Sequence, residues 1–152
     1  MSILVRPYNH TDRDSVISLW NEVFPDSTGH NDPAASIDRK LRSDDGLFFV
    51  AEMNGDVVGT IMAGYDGHRG WLYSVAVAPS QQRQGIGSML VRHAEQVLCE
   101  RGCPKLNLQV RAQNSAVVAF YRSMGFDAEE RISMGKLLKT KTLGTEGSEP
   151  SD

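Results

Sequence analysis

Gln82-Arg83-Gln84-Gly85-Ile86-Gly87 lies between a strand-like run, Trp71 to Val77, and a long helix-like run, Ser88 to Arg101. A glycine-rich turn that opens a helix after a strand gathers unpaired backbone N–H groups and the positive end of a helix dipole around one point. That arrangement suits a phosphate or pyrophosphate, so the segment reads as the seat of a phosphorylated cofactor.

Working outward, Pro79 has no N–H and ends the preceding strand just before the turn. Ile86, Leu90, Ala94, Val97 and Leu98 mark one face of the helix, and Gly102 and Pro104 stop it. Leu106 to Val110 returns as a strand, and a strand–helix–strand order places its two strands parallel. Upstream, Leu47 to Met53 and Val57 to Ala63 are apolar strands joined by Asn54-Gly55-Asp56, a hairpin signal because Asn-Gly tolerates the positive φ of a tight primed turn. Asp66 to Gly70 forms the next turn.

Near the start, Ile3-Leu4-Val5 reads as a strand. Thr11 with Asp14 marks the opening of a helix over about residues 12–24, carrying Val16, Ile17, Leu19, Trp20 and Val23 at helical spacing. Asp32-Pro33 fits an N-cap and first-turn proline for a second helix, closed by Ser43-Asp44-Asp45-Gly46. Toward the other end, Asn114 caps a last helix through Met124 and Gly125 ends it. Phe126 and Ile132 to Leu138 are expected to supply late strands. Residues 139–152, rich in Thr, Gly, Ser and Glu without apolar periodicity, read as a disordered tail after a single domain over 1–138.

The chain has 152 residues, 40% of them hydrophobic, which is enough for one domain with a real core. No basic leader or membrane-length apolar run is seen, so a soluble cytoplasmic protein is expected. Cys99 and Cys103 sit near a helix end and are expected to be reduced. They do not cluster with His10, His30, His68 or His93 at zinc-ligand spacing, so no metal is expected. Net charge is −3, spread as six cationic against eleven anionic residues in 1–70 and ten against eight in 71–152. The glycine turn thus lies in the more basic half, compatible with an anionic cofactor there and a cationic acceptor approached from the acidic half. No concentrated basic stripe suggests a nucleic-acid partner.

Among phosphate-binding patterns, a P-loop fails because no glycine-lysine-Ser/Thr string follows four intervening residues. The dinucleotide fingerprint fails because Leu90 stands at its third glycine position and the preceding strand belongs to a hairpin series. A second motif narrows the choice: Asn114-x-x-x-x-x-Phe120-Tyr121-x-x-x-Gly125-Phe126. With Gln82-x-x-Gly85-x-Gly87 opening the third helix, and this motif on the fourth, residues 2–138 resemble the GNAT acyl-CoA-dependent N-acetyltransferases. Asn31-Asp32-Pro33, Asn54 to Gly59 and Tyr65 to Gly70 further resemble a small bacterial branch of that family, the YpeA type. The resemblance implies an α+β, three-layer fold: a mixed central sheet of about six to seven strands flanked by four helices.

It also implies a chemistry, transfer of acetyl from acetyl-CoA to a primary amine on a small molecule, a lysine or a protein N-terminus. Backbone N–H groups of Arg83, Gln84, Gly85, Ile86, Gly87 and Ser88 would hold the diphosphate, with Gln82 shaping the turn. The main chain of Val75 and Val77 would pair with the pantetheine arm and direct an N–H at the thioester oxygen, and Asn114 would contact the same arm. Tyr121, two helical turns from Asn114 on nearly the same face, would protonate the leaving thiolate. Without the glycine turn, Asn114 and Tyr121 read simply as an N-cap and a core aromatic.

The general base is open. Leu72, Tyr73 and Ser74 carry no carboxylate, and Tyr73 is a candidate for the acceptor pocket. Asp66 and His68, in the turn before the central strand, are candidate catalytic residues that also suit a plain loop. Glu22, Asp26 and Glu52 are further carboxylates in the first half. A non-catalytic acyl-CoA-binding sensor is the alternative consistent with a missing base. A homodimer is compatible with apolar late strands.

Overall fold

The computed structural model describes residues 2–140. Its elements are β1 (Ile3–Pro7), α1 (Arg13–Val23), α2 (Pro33–Ser43), β2 (Phe48–Met53), β3 (Asp56–Tyr65), β4 (Gly70–Val77), α3 (Ile86–Glu100), β5 (Leu106–Asn107) and α4 (Ser115–Ser123). The described chain falls into two compact units divided after Ser115.

In the first unit the strands lie in the order β1-β2-β3-β4-β5. Neighbours from β1 to β4 are antiparallel, and β5 runs parallel to β4. The β2–β3 hairpin turns on Asn54 (φ 53°) and Gly55 (φ 85°), the two left-handed residues that a primed turn demands. Asp32 caps α2 by accepting the Ala35 N–H at 3.1 Å, with Pro33 in the first turn. Asp44, at φ 48°, closes it.

Helix α1 is entered differently from the Thr11–Asp14 start read from the sequence. Asn9 Oδ1 accepts the Thr11 N–H at 3.0 Å while Asp12 Oδ2 accepts the Asn9 N–H at 2.9 Å, so a reciprocal cap forms two residues earlier, around a single 3₁₀ turn. Arg6 decides between the two. Its guanidinium donates to both Asp12 oxygens, at 2.8 and 2.9 Å, and to Glu52 Oε1 at 3.0 Å, tying β1, the helix entry and β2 together. This pairing holds the buried Asp12 carboxyl below the usual carboxylate range.

The sheet is covered on two faces. Val16, Leu19 and Trp20 of α1 and Ile37 of α2 bury against Phe48, Val50, Met62 and Ala76. On the other face α3 approaches β3 so closely that a Cβ at Gly59 would lie 3.0 Å from Leu90 and 3.2 Å from Ile86. Here glycine is needed for space, not for a special φ, since any side chain would push the helix off the sheet.

The sheet has five strands, fewer than the six to seven expected, while the four α-helices agree. Strand β5 covers two residues instead of Leu106 to Val110, and no strand follows it among the described residues. The run from Ile132 to Leu138 joins no ladder, and Ile132 and Met134 are nine-tenths exposed. An alternating apolar run becomes a strand only where an edge pairs with it, and Gly135-Lys136 interrupts its alternation. Residues 139 and 140 are exposed, and the rest of the expected tail lies outside the described residues.

Candidate functional site

The turn from Gln82 to Ser88 leads into α3 through a left-handed N-cap, Gly85, at φ 79° and ψ 10°. Nothing lies within 4 Å of where its Cβ would be, so the backbone conformation rather than crowding calls for glycine. Arg83 is also left-handed, at φ 67°. Left-handed residues within a turn are the backbone from which anion-binding concavities of N–H groups are built. The first intrahelical bond is Met89 N–H to Gly85 O at 3.0 Å. The N–H groups of Ile86, Gly87 and Ser88 precede it and have no acceptor in the helix, and glycine at the N-cap brings no side chain to cap them. Gln82 to Gly85 are exposed, and Gln82 Nε2 donates to Val77 O at 3.4 Å, joining the turn to the end of β4.

Strand β4 presents an open edge to this turn. Its pairing with β5 is confined to Gly70 with Leu106 and Trp71 with Asn107, and beyond these no described strand covers that side. Which main-chain groups point into the gap follows from alternation. Ala78 N–H donates to Val58 O of β3 at 2.8 Å, so Ala76 shares that direction, and the N–H and C=O groups of Val75 and Val77 face the opposite, uncovered side.

An irregularity in β4 lies immediately before these residues. Thr60 pairs with Ala76 and Met62 with Tyr73, so two steps on β3 match three on β4, and Ser74 at φ 50° takes up the excess. The bulge puts Tyr73 and Ala76 on the same face of the sheet, and Tyr73 is left half exposed there. Neither the bulge nor its left-handed serine was expected from the sequence, since serine gives no signal of positive φ. Thr60, a lone hydroxyl inside an apolar strand, was the available hint that something nearby needed a hydrogen bond.

In the second unit, Tyr121 sits in the last turn of α4, where the helix ends in a Schellman motif. Phe126 N–H donates to Tyr121 O and Gly125 N–H to Arg122 O, each at 3.0 Å, with Gly125 at φ 95°. The apolar contact that accompanies such an ending is the ring pair Tyr121–Phe126, edge-on at 5.6 Å, with Phe120 packed edge-on at 4.9 Å. The Phe-Tyr and Gly-Phe pairs of the sequence motif therefore form one local device that holds a tyrosine ring. Burial pushes the Tyr121 phenol up to about 12. Asn114, in the first unit, immediately precedes α4, and its N–H donates to Arg111 O at 2.9 Å.

The candidate bases lie elsewhere. Asp66 Oδ1 accepts the N–H groups of His68 at 2.8 Å and Arg69 at 2.9 Å, which close the β3–β4 turn and lower the carboxyl's pKa, the Arg69 bond most. The Arg69 guanidinium is 3.1 Å from His68 Nε2. This turn precedes Gly70, four residues and thus about 13 Å of strand ahead of the Ser74 bulge. The glycine turn lies beyond the other end of β4. Glu52 is engaged by Arg6, and Glu22 and Asp26 are exposed at the end of α1. Cys99 and Cys103 are free thiols. Among the described residues no three His, Cys, Asp or Glu are placed to share a metal ion, and no helix is long and apolar enough to cross a membrane.

Comparison with known proteins bears on this geometry. The profile of the acetyltransferase (GNAT) family matches residues 13–126. A Yersinia pestis protein named acetyltransferase is 42% identical over 134 residues, 88% of this chain and 94% of the relative. In fold, the chain resembles the PaiA N-acetyltransferase of Thermoplasma acidophilum, solved with coenzyme A, with a TM-score of 0.75, 21% identity, and coverage of 87% of this chain and 94% of that one. It also resembles the ribosomal-protein-S18-alanine N-acetyltransferase of Escherichia coli, with a TM-score of 0.69, 26% identity, and coverage of 83% and 78%.

Proposed function

We propose, from the premise that this chain belongs to the acetyltransferase (GNAT) family, that it moves acetyl from acetyl-CoA to a primary amine within a ternary complex, residues 1–138 acting as one catalytic domain. The diphosphate is held by main-chain N–H groups of Arg83 to Ser88. Anion binding at such a turn needs no particular side chain, which is why Gly85 and Gly87 matter more than the charge of Arg83. The pantetheine arm runs along the uncovered edge of β4 and pairs with Val75 and Val77 as an added strand does, with Asn114 touching the same arm.

The amine nitrogen attacks the thioester carbonyl carbon, the new C–N bond forms, and negative charge collects on the oxygen. A main-chain N–H at the bulge stabilises that charge, and a comparable donor is worth roughly 3 kcal/mol in other acyl-transfer sites. As the C–S bond breaks, the Tyr121 hydroxyl gives its proton to sulfur. A phenol at about 12 stays fully protonated at neutral pH but is a weaker acid than a free thiol. Its proton therefore moves in step with the departing sulfur, not to a fully formed thiolate. The acceptor's ammonium gives one proton to water before attack, and the second proton that the nitrogen sheds as the adduct collapses passes through water to restore the Tyr121 phenol. Asp66 and His68, occupied in their turn, serve this reading as turn residues, and an unchanged pH–rate profile in Asp66→Asn and His68→Ala is the matching result.

The observation that carries the proposal is the uncovered β4 edge leading into an uncapped helix N-terminus, a continuous main-chain track for a long phosphorylated thioester. The acceptor class is tested by measuring free CoA thiol over polyamines, a ribosomal N-terminal peptide and protein extract. Thiol release with at least one acceptor is expected. Tight acetyl-CoA binding with no release over the whole panel would replace the enzyme by an acyl-CoA sensor.

A further inference from the structure

The bulge in β4 is held by a chain of two hydrogen bonds that reaches into α1. Thr60 is fully buried in the middle of β3, and its hydroxyl donates to Ser74 O at 2.9 Å. Thr60 Oγ1 in turn accepts the indole N–H of Trp20 at 2.8 Å, and Trp20 is itself buried. Serine at φ 50° is a strained choice, tolerated only where surrounding contacts define the backbone. The Thr60 hydroxyl supplies such a contact, and the Trp20 N–H limits which way that hydroxyl can point, because an oxygen that presents a lone pair to the indole turns its own proton away from it, toward Ser74. Phe48, stacked on Trp20 at 5.9 Å between ring centres, keeps the indole in place.

We infer that Trp20 and Thr60 are positioning residues for acyl transfer, fixing the Ser74 bulge and through it the aim of the Val75 N–H into the uncovered edge. The inference rests on the reading of that edge as the acyl-donor track. Neither side chain touches the thioester. Their effect passes through one peptide, where an error of about 1 Å costs up to roughly a hundredfold in rate. The grip on the diphosphate is made several residues further on, so binding and turnover should separate.

The test is steady-state kinetics and acetyl-CoA calorimetry on four proteins: wild type, Thr60→Val, Thr60→Ser and Trp20→Phe. Thr60→Val keeps the shape and removes the hydroxyl, and kcat is expected to fall about 10- to 100-fold with KM for acetyl-CoA within about twofold. Thr60→Ser should return kcat to near the wild-type value. Trp20→Phe, which leaves the Thr60–Ser74 bond possible but unaimed, should fall between them, and it carries the same test if Thr60→Val does not fold. Amide exchange at Val75 and Ala76, read by NMR in the free protein, should accelerate in whichever of Thr60→Val and Trp20→Phe folds. Unchanged kcat and unchanged exchange in folded Thr60→Val, or in Trp20→Phe where Thr60→Val does not fold, overturn the inference, as does a loss that serine fails to rescue. Failure of the wild type to bind acetyl-CoA would instead strike the functional reading beneath it.

Discussion

Gly85 and Gly125 invite comparison because they are alike in every local respect. Each is left-handed, at φ 79° and 95°, each borders a helix, and each has open space where a side chain would begin. Their consequences are opposite. Gly125 follows a helix, and its turn satisfies carbonyls: Tyr121 O and Arg122 O accept N–H groups from Phe126 and Gly125, and the ring of Phe126 comes to rest against Tyr121. Gly85 precedes a helix, and its turn leaves N–H groups of the first turn of α3 without an acceptor in the helix or a side-chain cap among the described residues. One glycine completes a structure, and the other leaves one incomplete in a way that an anion can finish. The lesson is that a shared backbone conformation carries no function by itself; the balance of donors and acceptors around it does.

The comparison breaks most visibly at Gly85. A valine there would place a β-branched residue at positive φ, which few backbones tolerate, and the turn would open. Coenzyme A affinity by calorimetry should drop by about 100-fold or more, with the melting temperature little changed because the turn is exposed. Next comes Tyr121→Phe. A positioned acid contributes about 10²- to 10⁴-fold, so kcat should fall by at least about 100-fold while KM for acetyl-CoA stays put. An equal loss in KM would recast Tyr121 as a binding residue.

Smaller effects sharpen the other side. Phe126→Ala removes the ring that closes the Schellman motif and should destabilise the protein by about 1–2 kcal/mol. It should also let the Tyr121 phenol titrate closer to 10, which an ultraviolet titration reads. Gly125→Ala should cost about 1 kcal/mol in thermal unfolding and leave coenzyme A binding intact, in contrast to Gly85. The pH dependence has a definite sign. The Tyr121 pKa is raised from 10 to about 12 on folding, so its contribution to stability is present below pH 10 and is lost as pH rises toward 12. Denaturant titrations over that range should show this decline in the wild type and less of it in Tyr121→Phe.

Much of this was legible in the chain because glycine, proline and Asn-Gly report backbone demands directly. Gly85, Gly125, Asn54-Gly55 and Asp32-Pro33 all stand where their chemistry puts them. What escaped were demands met by residues with no such signature. Arg83 and Ser74 adopt left-handed backbones without being glycine, and the cap of α1 was settled by Arg6, forty-six residues away from its second partner Glu52. The run Ile132 to Leu138 misled because its alternation is broken at Gly135-Lys136, and it joins no ladder among the described residues. The Trp20–Thr60–Ser74 chain joins three elements, and no local window contains it.

The central claim is that main-chain amides at the start of α3 receive the diphosphate of coenzyme A. An NMR titration that follows the N–H resonances of Ile86, Gly87 and Ser88 as coenzyme A is added tests it most directly. The account predicts saturating downfield shifts for these three amides with a single affinity. Binding that leaves them unmoved, or no binding at millimolar ligand, would contradict it.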